Sequence, residues 1–275
     1  VNDSRRNKVA LIWKGEESRE RIFTYQKLFS QVARFANGLK KIGVKKGDTV
    51  CIYMPLVPEQ VIAMLACARI GAVHSVVFGG FGAAALNMRI KDADAKVVIT
   101  ADITIRRGKA IQLKAIVDEA IINAPTVENV VVLRRREPQV DLHEKELDFY
   151  EMMEGMPDVC PAEVMDAEDP FFILYTSGST GKPKGIVHTC GGYMVGTYYT
   201  SKYIFDIKDN DTYWCTADPA GSPATATSCM APSAWASRAS SSRACRPTPN
   251  RTATGRSSRS TRRPPSTPRR RSSAA

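Results

Sequence analysis

The stretch Tyr175-Thr-Ser-Gly-Ser-Thr-Gly-Lys-Pro-Lys-Gly185 concentrates phosphate-binding chemistry in a short loop. It follows an apolar run, residues 169–176, whose length and composition predict a buried strand. The segment from Ile186 onward favours a helix. Glycine N–H groups, hydroxyls and two lysine ammonium groups in the loop can all turn toward an anion. Most Gly/Ser/Thr clusters are ordinary surface turns, but this density of donors directly after a strand indicates a phosphate site.

The loop is not a P-loop of the Walker kind, which requires Gly, four residues and then Gly-Lys-Ser/Thr. Thr176 occupies the position of the first Gly, and Pro183 follows Gly181-Lys182 where the magnesium-binding hydroxyl should stand. A Walker-type phosphotransferase is therefore disfavoured. The loop instead resembles the signature loop of the adenylate-forming superfamily, which includes the acyl-CoA synthetases.

Three further segments narrow this resemblance to the AMP-forming acetyl-CoA synthetases. They are Gly71-Ala-Val-His-Ser-Val-Val-Phe-Gly-Gly-Phe81, Ala101-Asp102 leading to Arg106-Arg-Gly-Lys109, and Tyr213-Trp-Cys-Thr-Ala-Asp218. The resemblance runs from about Lys8 to Asp218. It implies that residues 1–218 form part of the N-terminal, AMP-binding domain of the adenylate-forming fold, and that a whole family member would begin earlier and end later.

The order of predicted elements supports an α/β fold in which a parallel sheet is flanked by helices. Strands are predicted at residues 8–12, 21–24, 49–54, 72–78, 96–100, 129–133 and 170–176. Helices are predicted from the cap Thr24 to Gly43 and at 59–69, 83–90 and 111–123, with a polar excursion at 134–167 that contains a short helix near 149–153. Since ligands of such sheets gather beyond the carboxyl ends of the strands, ATP should lie at the glycine-rich loop.

The resemblance implies two half-reactions of an acetate–CoA ligase. Acetate, or another short carboxylate such as propionate, attacks the α-phosphorus of Mg·ATP to give an acyl-adenylate and pyrophosphate, and the thiol of coenzyme A then displaces AMP. The β- and γ-phosphates would be held by Thr176, Ser177, Gly178, Ser179, Thr180, Gly181 and Lys182. The catalytic lysine of the lid, the acyl pocket and the magnesium carboxylate would lie beyond Asp218. We therefore assign no catalytic residue and no metal ligand, and we expect this chain to be an inactive fragment.

The basic run Arg106-Arg-Gly-Lys109 also has phosphate-binding chemistry, because guanidinium groups match phosphate oxygens and the run is interpreted as lying at a helix start. The resemblance implies that Arg106, Arg107, Gly108 and Lys109 contact the 3′-phosphate of coenzyme A. Family members usually carry a small residue in place of Arg107 and Arg in place of Lys109, which makes Arg106 the strongest candidate. The alternative is a solvated basic turn.

No motif indicates a metal cluster, a catalytic triad or a membrane span. His74 lies in an apolar strand and is interpreted as a hydrogen-bonded structural residue. His188 is a weaker candidate near the nucleotide, and His143 is expected at the surface. Three cysteines lie in apolar runs, which indicates small buried side chains: Cys51, Cys67 and Cys215. We expect a soluble cytoplasmic protein whose partners are acetate, ATP and coenzyme A, with no nucleic-acid or membrane partner.

The net charge of +11 comes entirely from the C-terminal region. Residues 219–275 contain eleven Arg and no Lys, Asp or Glu; removing these eleven from the 39 basic residues leaves 28 against 28 acidic ones in residues 1–218. The region also lacks Val, Ile, Leu, Phe and Tyr, so it cannot bury enough apolar surface to offset its ordering entropy. We expect residues 219–275 to be a disordered Ser/Arg/Pro/Ala-rich tail. An alternative is a basic nucleic-acid-binding arm.

A frameshift explains the tail better than a functional arm does. The third base of each codon can be read with the first two bases of the next, with free choice of synonymous codons. Residues 221–233 can then encode Trp-Val-Thr-Gly-His-Ser-Tyr-Val-Val-Tyr-Gly-Pro-Leu, and residues 237–249 can encode Val-Thr-Ser-Val-Ile-Phe-Glu-Gly-Val-Pro-Thr-Tyr-Pro. Both peptides resemble the continuation of acetyl-CoA synthetases, and they occur in register and in family order.

We therefore predict an insertion or deletion of a base or two near the codons for Asp218 to Gly221. Sequencing the coding nucleic acid tests this prediction, and the alternative frame should stay open beyond that point. An alternative frame closed by early stop codons would contradict the frameshift.

Overall fold

The computed structural model describes residues 5–15, 19–106, 108–137, 139–176, 182–215, 218–220 and 238–242. Its strands are β1 (Val9–Lys14), β2 (Glu20–Thr24), β3 (Thr49–Tyr53), β4 (Val73–Val76), β5 (Val97–Ala101), β6 (Ile103–Arg106), β7 (Lys109–Gln112), β8 (Asn129–Leu133), β9 (Glu146–Asp148), β10 (Pro170–Thr176), β11 (Lys184–Thr189), β12 (Thr212–Cys215) and β13 (Arg238–Ser242). Its helices are α1 (Tyr25–Lys41), α2 (Pro58–Arg69), α3 (Ala83–Asp92), α4 (Leu113–Ile121) and α5 (Cys190–Tyr199), with short helical turns at Glu151–Met153 and Thr200–Ile204.

A seven-stranded sheet in the order β11-β10-β4-β3-β5-β8-β9 forms the centre of the fold. Its neighbours pair in parallel except for β10 and β11, which are antiparallel. A second sheet has the order β12-β13-β1-β2, and β6 and β7 form a separate hairpin. The prediction of an α/β fold with a parallel sheet is confirmed.

Local signals in the sequence account for the starts of helices α1 and α2. The hydroxyl of Thr24 accepts a hydrogen bond from the Lys27 N–H at 3.2 Å, which confirms the predicted cap of α1. The apolar face of α1 is buried, and Phe35 stacks on Phe149 with ring centroids 4.2 Å apart. Pro58 begins α2, where its fixed φ suits the first helical turn and its missing N–H is not needed.

Two predicted helix starts are wrong. The segment from Ile186 does not open a helix; residues 184–189 form β11, and the helix begins only at Cys190. The helix expected from Ile111 begins at Leu113, because residues 109–112 form β7. In both cases a partner strand directly precedes the segment, and cross-strand pairing outweighs helix propensity there.

The expectation of a disordered tail stays a prediction. Of residues 219–275 the structure describes only 219, 220 and 238–242. Residues 238–242 form β13, a strand that the composition did not predict. β13 pairs in parallel with β1 and with β12. The proposed boundary at Asp218 is likewise untested.

His74 lies on β4 in the middle of the large sheet and is only 1% exposed. Its ring packs against Phe172 and Phe171, with centroid distances of 5.5 Å and 5.6 Å. The interpretation as a structural residue is consistent with this burial, but Nδ1 has no hydrogen-bond partner among the described residues, contrary to the expected satisfied ring. Burial lowers the pKa of His74 from 6.5 to about 3, because the charged imidazolium loses its hydration.

His74 should therefore make the fold sensitive to acid. Below its unfolded pKa of about 6.5, the unfolded chain takes up a proton that the folded chain refuses, so the unfolding free energy falls as pH drops toward 3. Between pH 7 and pH 5 the loss should be about 2 kcal/mol for this group. We expect His74→Leu to flatten the pH dependence of the unfolding free energy by that amount in urea unfolding. Equal slopes for His74→Leu and the parent would refute the prediction.

Candidate functional site

The predicted phosphate loop joins β10 to β11 as the turn of an antiparallel hairpin. Thr176 and Lys184 are paired across the end of this hairpin, and both are exposed. Lys182 is described and exposed as well. The remaining predicted phosphate ligands, Ser177, Gly178, Ser179, Thr180 and Gly181, lie outside the described residues. The end of the hairpin thus offers one hydroxyl and two ammonium groups at the carboxyl end of β10.

The second predicted site, Arg106 to Lys109, lies at the turn of the β6–β7 hairpin and not at a helix start. Arg106 pairs with Lys109 across the hairpin, and Gly108 occupies the turn with a φ of +72°. A side chain at that φ would be strained, so glycine is required for this tight turn. Arg107 lies outside the described residues. The anion-binding interpretation now depends on the basic side chains alone, because the helix N-terminus is absent from this position.

Arg106 packs against the loop that follows β4. Its guanidinium carbon lies 5.5 Å from the centroid of the Phe78 ring. A Cβ atom built on Gly80 would come within 3.0 Å of an Arg106 Nη atom, which shows how closely the backbone and the guanidinium approach. The Gly79-Gly80 segment therefore leaves room for Arg106, and the two predicted motifs meet in space.

Asp102 fixes the start of the β6–β7 hairpin, and its side chain is fully buried. One carboxylate oxygen accepts the Ile103 N–H at 2.6 Å. The other accepts the N–H groups of Arg135 and Arg136 at 3.0 Å and 3.2 Å. Three donors therefore satisfy this buried carboxylate, and they join the segments that follow β5 and β8.

Both hairpins lie where the parallel strands of the large sheet have their carboxyl ends, and this side of the sheet is the edge meant below. β10, β4, β3 and β5 are consecutive in the sheet and run parallel, so the segments that leave their carboxyl ends emerge together. Arg106 contacts the segment after β4, and β4 is the direct neighbour of β10. The structure thus places the two candidate phosphate-binding groups on one edge, as expected from the predicted parallel sheet.

Helix α3 carries two side chains at this edge that sequence reasoning missed. Arg89 is 8% exposed, and its guanidinium lies 4.4 Å from the Phe81 ring centroid and 5.5 Å from that of Tyr175. The hydroxyl of Tyr175 donates a hydrogen bond to Asp92 at 2.7 Å. Burial and this carboxylate raise the pKa of Tyr175, so the phenol stays neutral and can donate. For Arg89 the only signal in the sequence is a charged residue among the apolar residues on the buried face of α3.

Three further residues singled out in the sequence, His188, Cys51 and Cys67, lie in packed surroundings. His188 stacks on Phe172 with centroids 4.3 Å apart, and it pairs with Phe172 four residues before the end of β10. It therefore lies about 13 Å along the strand from the loop, which argues against the predicted nucleotide contact. Burial raises the pKa of both Cys51 and Cys67 to about 12, and the prediction of buried thiols is confirmed for these two. The side chain of Cys215 lies outside the described residues.

Potential metal ligands meet at one place in the described part of the chain, where Asp118, His143 and Glu146 are neighbours. The ammonium group of Lys114 lies 2.9 Å from Asp118 and 3.0 Å from Glu146. This cation already compensates the carboxylates, so we interpret the cluster as an ion-pair network. None of the helices within the described ranges combines the length and apolar composition needed to cross a bilayer.

Comparisons with known proteins found a matching family, related sequences and a related structure. A family model for AMP-binding enzymes matches residues 1–244. The acetyl-coenzyme A synthetase of Chlorobaculum tepidum is 55% identical over 219 residues, which are 79% of this chain and 33% of that protein. The protein of the same name from Vibrio vulnificus is 55% identical over 214 residues, or 76% of this chain and 33% of that one. This chain therefore spans about a third of the length of the curated relatives that it matches.

A solved structure shows the same fold. The crystal structure of Brucella canis acyl-CoA synthetase matches with a TM-score of 0.75 and 23% sequence identity, covering 86% of this chain and 41% of that one. At this level of identity the similarity concerns the fold alone. It confirms the partial N-terminal α/β architecture that the resemblance implied.

We predict that Asp102→Asn destabilises the fold by about 1–3 kcal/mol, because its amide group cannot accept all three backbone N–H groups. Urea unfolding measures the loss, and hydrogen exchange should show reduced protection in residues 103–112. Replacement of the exposed Asp141 by Asn is the matched control for the removed charge. Equal stability of the two variants would contradict the role given to Asp102.

Proposed function

This chain belongs to the AMP-binding enzyme family, and we propose that it carries the phosphate-binding and coenzyme A-binding part of an AMP-forming acetate–CoA ligase. The observation that supports this proposal is the presence of two basic, glycine-containing hairpins on one edge of a parallel sheet. The relatives named acetyl-coenzyme A synthetase supply the reaction class. Since this chain spans about a third of their length, the complete reaction is part of the proposal.

In the first half-reaction acetate attacks the α-phosphorus of ATP, which forms acetyl-AMP and releases pyrophosphate. Thr176 and Lys182 would contact the β- and γ-phosphates, together with Ser177, Gly178, Ser179, Thr180 and Gly181. Hydroxyl and backbone donors would orient the triphosphate, and the ammonium groups of Lys182 and Lys184 would compensate the charge that develops on the leaving pyrophosphate.

In the second half-reaction the coenzyme A thiol attacks the acetyl carbon, the bond to the phosphate oxygen breaks and AMP leaves. Arg106 would bind the 3′-phosphate of coenzyme A, with Arg107, Gly108 and Lys109 beside it. The contact with Phe78 restricts the Arg106 guanidinium before the ligand arrives, so less side-chain entropy is lost on binding.

Magnesium would enter as part of Mg·ATP. At the end of the β10–β11 hairpin the described residues offer two ammonium groups, which suit phosphate oxygens and cannot ligate a cation, and one hydroxyl, which alone does not make a site for a hard dication. We therefore assign no magnesium ligand to these residues. The proposed partners are the small molecules acetate, ATP and coenzyme A, and the proposed location is the cytoplasm.

Two variants of this chain separate the two phosphate sites. We expect Lys182→Ala to weaken the binding of inorganic pyrophosphate by about tenfold or more, because a charge-assisted contact is lost. Arg106→Ala should keep pyrophosphate binding but remove the preference for coenzyme A over dephospho-coenzyme A. Isothermal titration of the parent and both variants with the three ligands measures these effects. Unchanged pyrophosphate affinity in Lys182→Ala, or an unchanged coenzyme A preference in Arg106→Ala, would refute the corresponding role.

A further inference from the structure

We propose that Arg89 and Asp92 of α3 are positioning residues, which hold Tyr175 and thereby fix the end of the β10–β11 hairpin against the loop after β4. The inference rests on the proposed function, because the position of Thr176, Lys182 and Lys184 affects catalysis only if these residues bind phosphate. Arg89 and Asp92 themselves need not touch any substrate.

Tyr175 is held on two sides. Its hydroxyl donates to Asp92 at 2.7 Å, and its ring lies across the backbone of its pairing partner Gly185. A Cβ atom on Gly185 would come within 3.3 Å of the Tyr175 ring, so glycine permits this close approach. Because Tyr175 directly precedes Thr176, fixing its ring also fixes the last strand residue before the loop.

Arg89 lies over the ring of Tyr175. It is 8% exposed, and within the described ranges it forms no ion pair with a carboxylate. Its polar contact is a hydrogen bond from Nη1 to the Ala85 carbonyl at 2.6 Å. Burial of a cation without a carboxylate is costly unless other groups stabilise it. Here the ring faces of Phe81 and Tyr175 do so.

Phe81 connects this cluster with the second candidate site. The Tyr53 hydroxyl donates to the Phe81 carbonyl at 2.6 Å, which fixes the backbone of the loop after β4. The rings of Phe81 and Phe78 meet edge to face at 5.6 Å, and Phe78 contacts Arg106. Helix α3 therefore sets the hairpin end relative to the same loop against which Arg106 packs. The role that follows from these contacts is a fixed geometry and not a signal between the sites.

The test uses the full 275-residue chain with inorganic pyrophosphate as the probe. We expect Tyr175→Phe and Asp92→Ala each to weaken pyrophosphate binding about three- to tenfold, the range expected for one lost hydrogen bond. The double variant should bind no more weakly than either single variant, because both remove the same interaction. Asp92→Asn should bind like the parent, since its amide oxygen can accept the same hydrogen bond.

Hydrogen exchange supplies a readout that needs no ligand. In Tyr175→Phe the amides of residues 184–189 should lose protection, while those of α4 keep it. Arg89→Met, which removes the cation from between the rings, should have the same effect. The matched control is Tyr150→Phe, which removes a tyrosine hydrogen bond to the buried Glu59 carboxylate elsewhere in the fold and should leave both measurements at parent values.

Parent-like affinity and protection in Tyr175→Phe would overturn the inference. The proposed function is judged separately by Lys182→Ala. Loss of pyrophosphate binding in Lys182→Ala together with normal binding in Tyr175→Phe would refute the positioning role alone. Normal binding in Lys182→Ala would refute the phosphate site itself, and with it the functional meaning of the hairpin position.

Discussion

Parallel pairing of β10, β4, β3, β5 and β8 is the constraint on which the candidate site depends. It brings the carboxyl ends of all five strands to one edge of the sheet, where the connecting segments are free to differ from one another. The β10–β11 hairpin, the loop after β4 and the β6–β7 hairpin all leave from this edge. Segments that are far apart in the chain are thereby brought together, and the two basic hairpins lie at the same end of the sheet.

The same constraint explains how polar groups are treated in the fold. A parallel sheet is covered on both faces, so polar side chains near it must find partners within the protein. Asp102 accepts three backbone N–H groups, and the buried Glu59 pairs with Arg21 at 2.5 Å. Exceptions among the described residues include His74 and Ser75 of β4, whose Nδ1 and Oγ lack a hydrogen-bond partner there. The two carboxylates are thus hydrogen-bonded or ion-paired, whereas these two neutral groups are not.

In the proposed function, the two hairpins would hold phosphate groups with basic side chains and with backbone groups of their loops. Arg106 is placed by an aromatic ring, and the end of the β10–β11 hairpin is placed by Tyr175 against α3. In both cases an aromatic side chain contacts the segment that carries the cations, of which Lys182 and Lys184 are exposed and Arg106 is half-buried. Placement of the cations by aromatic rings is compatible with membership in a family that binds nucleotide and coenzyme A, because a fixed side chain loses less entropy when an anion binds.

The sequence by itself determined the strands β3, β4, β5, β8 and β10, the capped helix α1 and the chemistry of both basic turns, since apolar runs, Thr24 and clusters of Gly, Lys and Arg act locally. Only the tertiary structure decided that residues 184–189 and 109–112 are strands. Strand formation needs a partner edge, and helix propensity does not reveal where such an edge lies. It also decided the contact between Asp92 and Tyr175, which are 83 residues apart. No periodicity or motif records such a pair, because chain folding alone brings its two members together.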